Sequence, residues 1–254
     1  MLMESYKQKH RYYSVASGVI AVSVFLVSSL VYFFAARLLL SQGMRLHVPA
    51  SIISIAIVCA CVLIVGDGID SIGFSLRGLW QSTLLGLITG AGFFFGIRSV
   101  LSASIFERAY GGVEVQRFLE PDRFVNVPET PLLEWLPLIL LFVVISVLQQ
   151  EVLLRGYVQT RLTGLIKSEF AVIIITGILF VVFNMPMLSV LIGQPLSWVF
   201  LRTIPLEFIW MFALHLWLHF LYRTFNNIAA PVIFHVFFSF HSAAMLTYSY
   251  FMGF

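Results

Sequence analysis

"VLQQEVLLRGY", residues 147–157, decides how this chain reads. Two carboxamides, a carboxylate and a guanidinium (Gln149, Gln150, Glu151 and Arg155) stand in a stretch otherwise apolar enough for a bilayer. Ionisable groups at that depth are costly, and they face a bundle interior or a water-filled cavity rather than lipid. Glu151 precedes Arg155 by four residues, which puts them on one helix face in the favourable order for an ion pair. Each charge makes the other tolerable there.

The surrounding chain shows why bilayer is the right solvent to consider. Of the 254 residues, 60% are hydrophobic, 15% aromatic and only 11% charged, and the mean hydropathy is +0.97. A soluble domain carries about 25% charged residues, so a soluble globule is excluded and a polytopic membrane protein is indicated. No Asp, Glu, Lys or Arg occurs in 12–36, 46–66, 78–97, 135–150, 170–201, 208–222 or 224–254. A spanning helix takes about 20 largely apolar residues. Five of these windows meet that length, and the two shorter ones borrow flanking residues. The expected fold is therefore all-α, a transmembrane bundle of about seven spans with eight as the upper count. Pro186, Gly193 and Pro195 fall in the 170–201 window, which is expected to hold one span followed by a short re-entrant or interfacial piece.

The basic start "MESYKQKHR" precedes an apolar run too long for a cleaved signal peptide, so it is read as leading into an uncleaved first span. With the N-terminus cytoplasmic, eight Lys and Arg collect on that side against seven on the other, a small lean towards N-inside. The net charge of +3 is scattered, which argues against a nucleic-acid partner and leaves membrane lipid as the surroundings. Cys59 and Cys61, two apart on a helix, face away from each other and read as free thiols. The chain reads as a single membrane domain over 1–254 with no internal repeat. Its one long polar segment, 106–135, carries both signs of charge and reads as a solvated connector or a piece folded over a cavity mouth.

The embedded polar residues concentrate after that connector. Phe180 and Asn184, His215 and His219, and His235 and Ser239 are each four apart, so three helices present stacked residues towards a common interior. A carboxylate and imidazoles around enclosed water suggest hydrolysis, proton relay or metal binding, with a polar knot that fixes helix register as the bland alternative.

The arrangement resembles the CPBP family (CAAX-protease and bacteriocin-processing proteins, also called Abi), membrane-embedded glutamic-type endopeptidases. That family shows Glu-Glu-x-x-x-Arg on one helix, Phe-x-x-x-His on the next and His-x-x-x-Asn/Asp on a later one. The matching stretches here are "QEVLLR" at 150–155, "FVVFN" at 180–184 and "HVFFS" at 235–239, with "RGY", "MP" and "AAPVIFH" around them. The resemblance covers roughly 135–245. It implies that Gln150, Glu151, Arg155, Asn184, His235 and Ser239 occupy the catalytic positions.

The departures bear on activity. By the resemblance, the first Glu activates water, two His bind and orient it, and the Asn helps stabilise the oxyanion. Here Gln150, Asn184 and Ser239 replace the base, the first His and the Asn, while His235 keeps its role and Glu151 with Arg155 keeps the supporting pair. A general base must take a proton near neutral pH, and a carboxamide has no useful basicity. Glu151 lies about 100° round a regular helix from Gln150 and is held ionised by Arg155. His215 and His219 have the spacing of a helical metal pair, but no acid stands beside them, and helix–helix hydrogen bonds are the expected use. No cofactor or metal is expected. The expectation is a catalytically impaired protease scaffold in a bacterial cell membrane that binds a membrane protein or peptide partner. An active endopeptidase with a rearranged centre and a small proton-coupled transporter are the alternatives.

Overall fold

A computed structural model describes residues 13–42, 47–97, 132–192 and 198–239. Helix α1 is Val15–Gln42 and α2 is His47–Ile64. After a 3-10 turn, Ile69–Ile72, comes α3, Leu79–Gly92, whose end widens into a π turn, Phe93–Ile97. Helix α4, Leu132–Gln150, passes without a break into a π-helix, Glu151–Gln159, and a last α turn, Thr160–Leu162. Helices α5, Glu169–Ile192, α6, Trp198–Phe225, and α7, Ala229–Ser239, complete an all-helical bundle. Among the described residues, three helices contain stretches long and apolar enough to cross a membrane, Val15–Tyr32, Leu79–Gly96 and Leu140–Leu162, and three others are shorter apolar helices.

Each charge-free window corresponds to one helix. The 170–201 window is the exception in detail: residues 198–201 open α6, while 193–197, where Gly193 and Pro195 fall and the re-entrant or interfacial piece is expected, lie outside the described residues. Charge counting cannot see a helix that starts inside an apolar run. At about 1.5 Å per residue, α6 is roughly 42 Å long, more than a hydrocarbon core of about 30 Å. Arg202 and Glu207 fall in its first turns, where the excess length can lie outside the core. Of the polar segment 106–135, residues 106–131 lie outside the described residues and 132–135 open α4.

One end of the bundle is tied together tightly. It gathers Tyr13, the 65–78 connection, the 163–168 turn and the α6–α7 turn. Arg161 reaches Asp67 Oδ2 at 2.7 Å and Ser71 Oγ at 3.1 Å. Its guanidinium also lies 4.8 Å from the Tyr13 ring centre and 4.4 Å from that of Tyr157. Asn227 donates to the carbonyls of Ser75 and Arg77, while its Oδ1 accepts the Ala229 N–H at 2.8 Å and so caps α7. Ser82 Oγ accepts the Ala230 N–H at 2.9 Å. Gly73 adopts φ 90°, where L side chains are strained, and the Tyr222 ring fills the space a Cβ would need.

The core is a continuous apolar cluster running from Ala21 and Phe25 of α1 through Val58 and Val62 of α2 to Leu153, Leu154 and Val158. Phe180, Phe183, Leu218 and Phe234 extend it through the last three helices. The Glu151–Gln159 segment lies at its centre and every one of its nine residues is buried. This is a π-helix, with i→i+5 bonds and a wider turn than an α-helix. Gly156 sits where the segment meets the 3-10 turn, and a Cβ there would lie 2.5 Å from the Ile72 carbonyl oxygen.

Candidate functional site

The wider π turn keeps residues four apart nearly in line, so Glu151, Arg155 and Gln159 form one polar stripe. Each bonds a histidine. Glu151 Oε1 lies 2.7 Å from His235 Nδ1 of α7. Arg155 donates through NH1 to Glu151 Oε2 at 2.5 Å and through NH2 to His215 Nδ1 of α6 at 3.3 Å. Gln159 Nε2 donates to His219 Nδ1, one helical turn further along α6. The resulting three-rung ladder ties the π segment to α6 and α7.

Phe180 of α5 plugs the middle of it. Its ring is fully buried, 5.7 Å from the His235 ring, 5.8 Å from that of His215 and 5.2 Å from the Arg155 guanidinium. These contacts combine ring packing with cation–π attraction in a desolvated place. Because an Arg only donates, His215 Nδ1 accepts, and its Nε2–H is left to donate to Thr176 Oγ1 at 3.3 Å. Thr176 in turn donates to the Val172 carbonyl at 2.8 Å. Both nitrogens of His215 are thereby engaged, and both histidines of α6 serve helix–helix contacts. Among the described residues no group of three or more metal-ligating side chains converges.

The six motif positions are not equivalent. Glu151, Arg155 and His235 are brought together, with both carboxylate oxygens occupied by cationic or N–H donors. Gln150, 6% exposed, falls on the stripe with Val143 and Val147 that packs on Val232 and Val236 of α7, and its Oε1 bonds nothing in the protein. Asn184 turns its amide back onto its own helix, donating to the Phe180 carbonyl at 2.8 Å. Ser239, partly buried, lies one turn beyond His235 at the end of the described part of α7. The regular-helix expectation for Glu151 needs correcting, since the backbone becomes π at that residue.

Residues 132–241 match the family model described as Type II CAAX prenyl endopeptidase Rce1-like. The second half of this chain is thus similar to the Rce1-like domain of the CPBP type. The match covers α4 to α7 and therefore every rung of the ladder, while α1 to α3 precede it. No curated protein and no solved structure matches the chain. With its apolar helices, the Rce1-like domain makes this an integral membrane protein.

Sequence reading missed Gln159, Thr176 and Arg161. The signal for Gln159 was present as the third member of the series 151, 155, 159. Arg161 falls outside every charge-free window and every motif, yet it is 2% exposed and braces the end of the bundle.

Proposed function

We propose that this protein is a catalytically impaired CAAX-protease-like scaffold that binds a membrane protein or peptide without cutting it, in a bacterial cell membrane. The observation that carries the reading is the division of labour between two adjacent residues. Gln150 holds the position of the general base and has no proton-accepting carboxylate. Glu151, the neighbouring carboxylate, is fully buried and has both oxygens bonded, to Arg155 and to His235. Moving Glu151 into the role of base would break an ion pair whose loss costs about 3–5 kcal/mol. The missing base alone removes a factor of about 10²–10⁴ in rate. Asn184, bonded to its own helix, supplies no titrating nitrogen in place of the first His.

The test is direct. Purified wild type is incubated with membrane-associated peptides and the products are read by mass spectrometry, beside the triple reversion Gln150→Glu, Asn184→His, Ser239→Asn. The expected result is no cleavage by wild type, with co-purification from native membranes yielding a stoichiometric partner. Cleavage by wild type that disappears in His235→Ala would overturn the proposal and establish an active rearranged centre.

A further inference from the structure

Three residues that Arg161 touches, Tyr13, Asp67 and Ser71, also line a cavity of about 350 Å³. Ser14 and Ser17 from the start of α1 and Asp70 from the 65–78 connection complete its polar lining. Ser14, Gly68 and Asp70 are exposed, so the cavity opens at the surface. Small-molecule sites occupy about 300–1,000 Å³, and this volume is among them. The helices set its depth. Val65 of the lining follows Ile64, the last residue of α2, and the apolar stretch Val15–Tyr32 begins one residue after Ser14. The cavity therefore stands where two apolar helices end, at the level of lipid headgroups. Exposed Val15, Val19 and Ile64 continue from it along the same two helices.

The lining is divided by chemistry. On one side are the carboxylates of Asp67 and Asp70, and no Lys or Arg is among the described lining residues. Buried Arg161 bonds Oδ2 of Asp67, and no bond among the described residues takes Oδ1. Asp70 Oδ1 occupies the space that a Cβ on Gly68 would take, so the glycine lets this carboxylate fold over the connection. On the α1 side are hydroxyls. Ser14 Oγ accepts the Ser17 N–H at 3.2 Å and lies 3.2 Å from Ser17 Oγ. One O–H of the two serines serves their mutual bond, and the other is left to donate. We propose that this cavity binds the zwitterionic headgroup of an aminophospholipid, its primary ammonium on Asp67 and Asp70 and its phosphate on the hydroxyls of Ser14 and Ser17. A primary ammonium brings three N–H donors to acceptor-only carboxylates, whereas a choline headgroup brings none. A headgroup with net negative charge would be set against both carboxylates. The exposed apolar side chains beside the cavity give the acyl chains a surface, which makes the occupant a lipid. No residue of the ladder lines this site, and it does not depend on the binding reading above.

The experiment releases the full chain from nanodiscs and reads retained lipid by native mass spectrometry. The nanodiscs hold equimolar dioleoyl phosphatidylethanolamine, its N-methyl and N,N-dimethyl forms, and phosphatidylcholine. Retention should fall stepwise as N–H donors are removed, with the ethanolamine lipid favoured over the choline lipid by about tenfold or more, as one charged hydrogen bond gives. Asp70→Asn keeps the shape and should cut that preference. Gly68→Ala should do the same, because φ −77° and ψ 153° suit alanine while its methyl group displaces the Asp70 carboxylate. Ser17→Ala should lower retention of all four lipids alike, since the phosphate is common to them. Equal retention of the four by wild type, or an unchanged preference in folded Asp70→Asn, would overturn the proposal. Displacement of the lipid by equimolar soluble O-phosphoethanolamine would overturn it too, because the acyl chains would then add nothing. If neither variant folds, the wild-type series decides alone. Peptide cleavage by wild type would defeat the non-catalytic reading and leave this site standing.

Discussion

Replacing Arg155 with Met tests whether the ladder holds the bundle together. The guanidinium is fully buried, bonds Glu151 at 2.5 Å and His215 at 3.3 Å on both its Nδ1 and its carbonyl, and lies 5.2 Å from the Phe180 ring centre. Methionine fills much of the same volume, so the main loss is electrostatic. Glu151 would keep one partner, His235, and stay buried as an uncompensated carboxylate. Breaking a buried pair in this way costs about 3–5 kcal/mol. For a protein of this size each kcal/mol moves the melting temperature by about 2–4 °C, so the drop should be roughly 6–20 °C. The assay is a thermal melt of purified protein in one detergent, with Gln150→Met as the control. Gln150 has an unbonded buried oxygen, so its replacement should leave the melting temperature unchanged or raised. Adding Glu151→Gln to Arg155→Met removes the stranded charge and should raise the melt above that of the single variant. An Arg155→Met melt indistinguishable from the Gln150→Met control would refute the reasoning.

Three further outcomes follow from the same geometry. Gly156→Ala places a methyl group 2.5 Å from the Ile72 carbonyl oxygen, so it should destabilise by about 1–3 kcal/mol; an unchanged melt would mean the π segment and the 3-10 turn are not in contact. Gln149→Met removes an amide that is 1% exposed with neither oxygen nor nitrogen bonded to protein. The expected gain is about 1–3 kcal/mol, and a lowered melting temperature counts against it. Asp67→Ala should lower stability more than Arg161→Met, because the first strands a guanidinium that is 2% exposed and the second leaves a carboxylate that is 29% exposed and can be rehydrated; the reverse order in paired melts would contradict this.

The helices were legible because seven apolar windows separated by charges leave little choice once the solvent is a bilayer. The connection between α5 and α6 was not, since an apolar run gives no sign of where one helix stops and the next begins. The pair Glu151–Arg155 followed from spacing alone, and a buried ion pair is what the distance gives. The π-helix was out of reach, because no residue type in "EVLLRGYVQ" demands i→i+5 bonds, and the feature arises from how the buried segment packs against the helices around it. Gln159 was readable as the third member of the series 151, 155, 159, but its closer alignment with Glu151 and Arg155 comes from that wider turn. The pairing of His235 with Glu151 likewise joins residues 84 positions apart, and only the fold brings them within 2.7 Å.

The position of Arg155 also bears on what the ladder can carry. A relay moving protons along it would run from His235 through Glu151 to His215, and Arg155 stands between the last two. A guanidinium is protonated at every accessible pH, so it has no lone pair to receive a proton and none to pass on. His215 uses Nδ1 to accept from that guanidinium, so protonating it would set two cations 3.3 Å apart in a buried site. Each of these contacts stabilises the resting arrangement and opposes transfer through it, which argues against the transporter alternative on physical grounds. The same contacts separate folding from catalysis. The residues that bind the helices together, Glu151, Arg155, His215 and His235, all have partners within the bundle. Gln150, which the proposed reading puts at the base position, bonds no protein group through its oxygen. A carboxamide at 150 takes part in no rung of the ladder, so on the proposed reading a scaffold of this kind can lose its base and keep its fold.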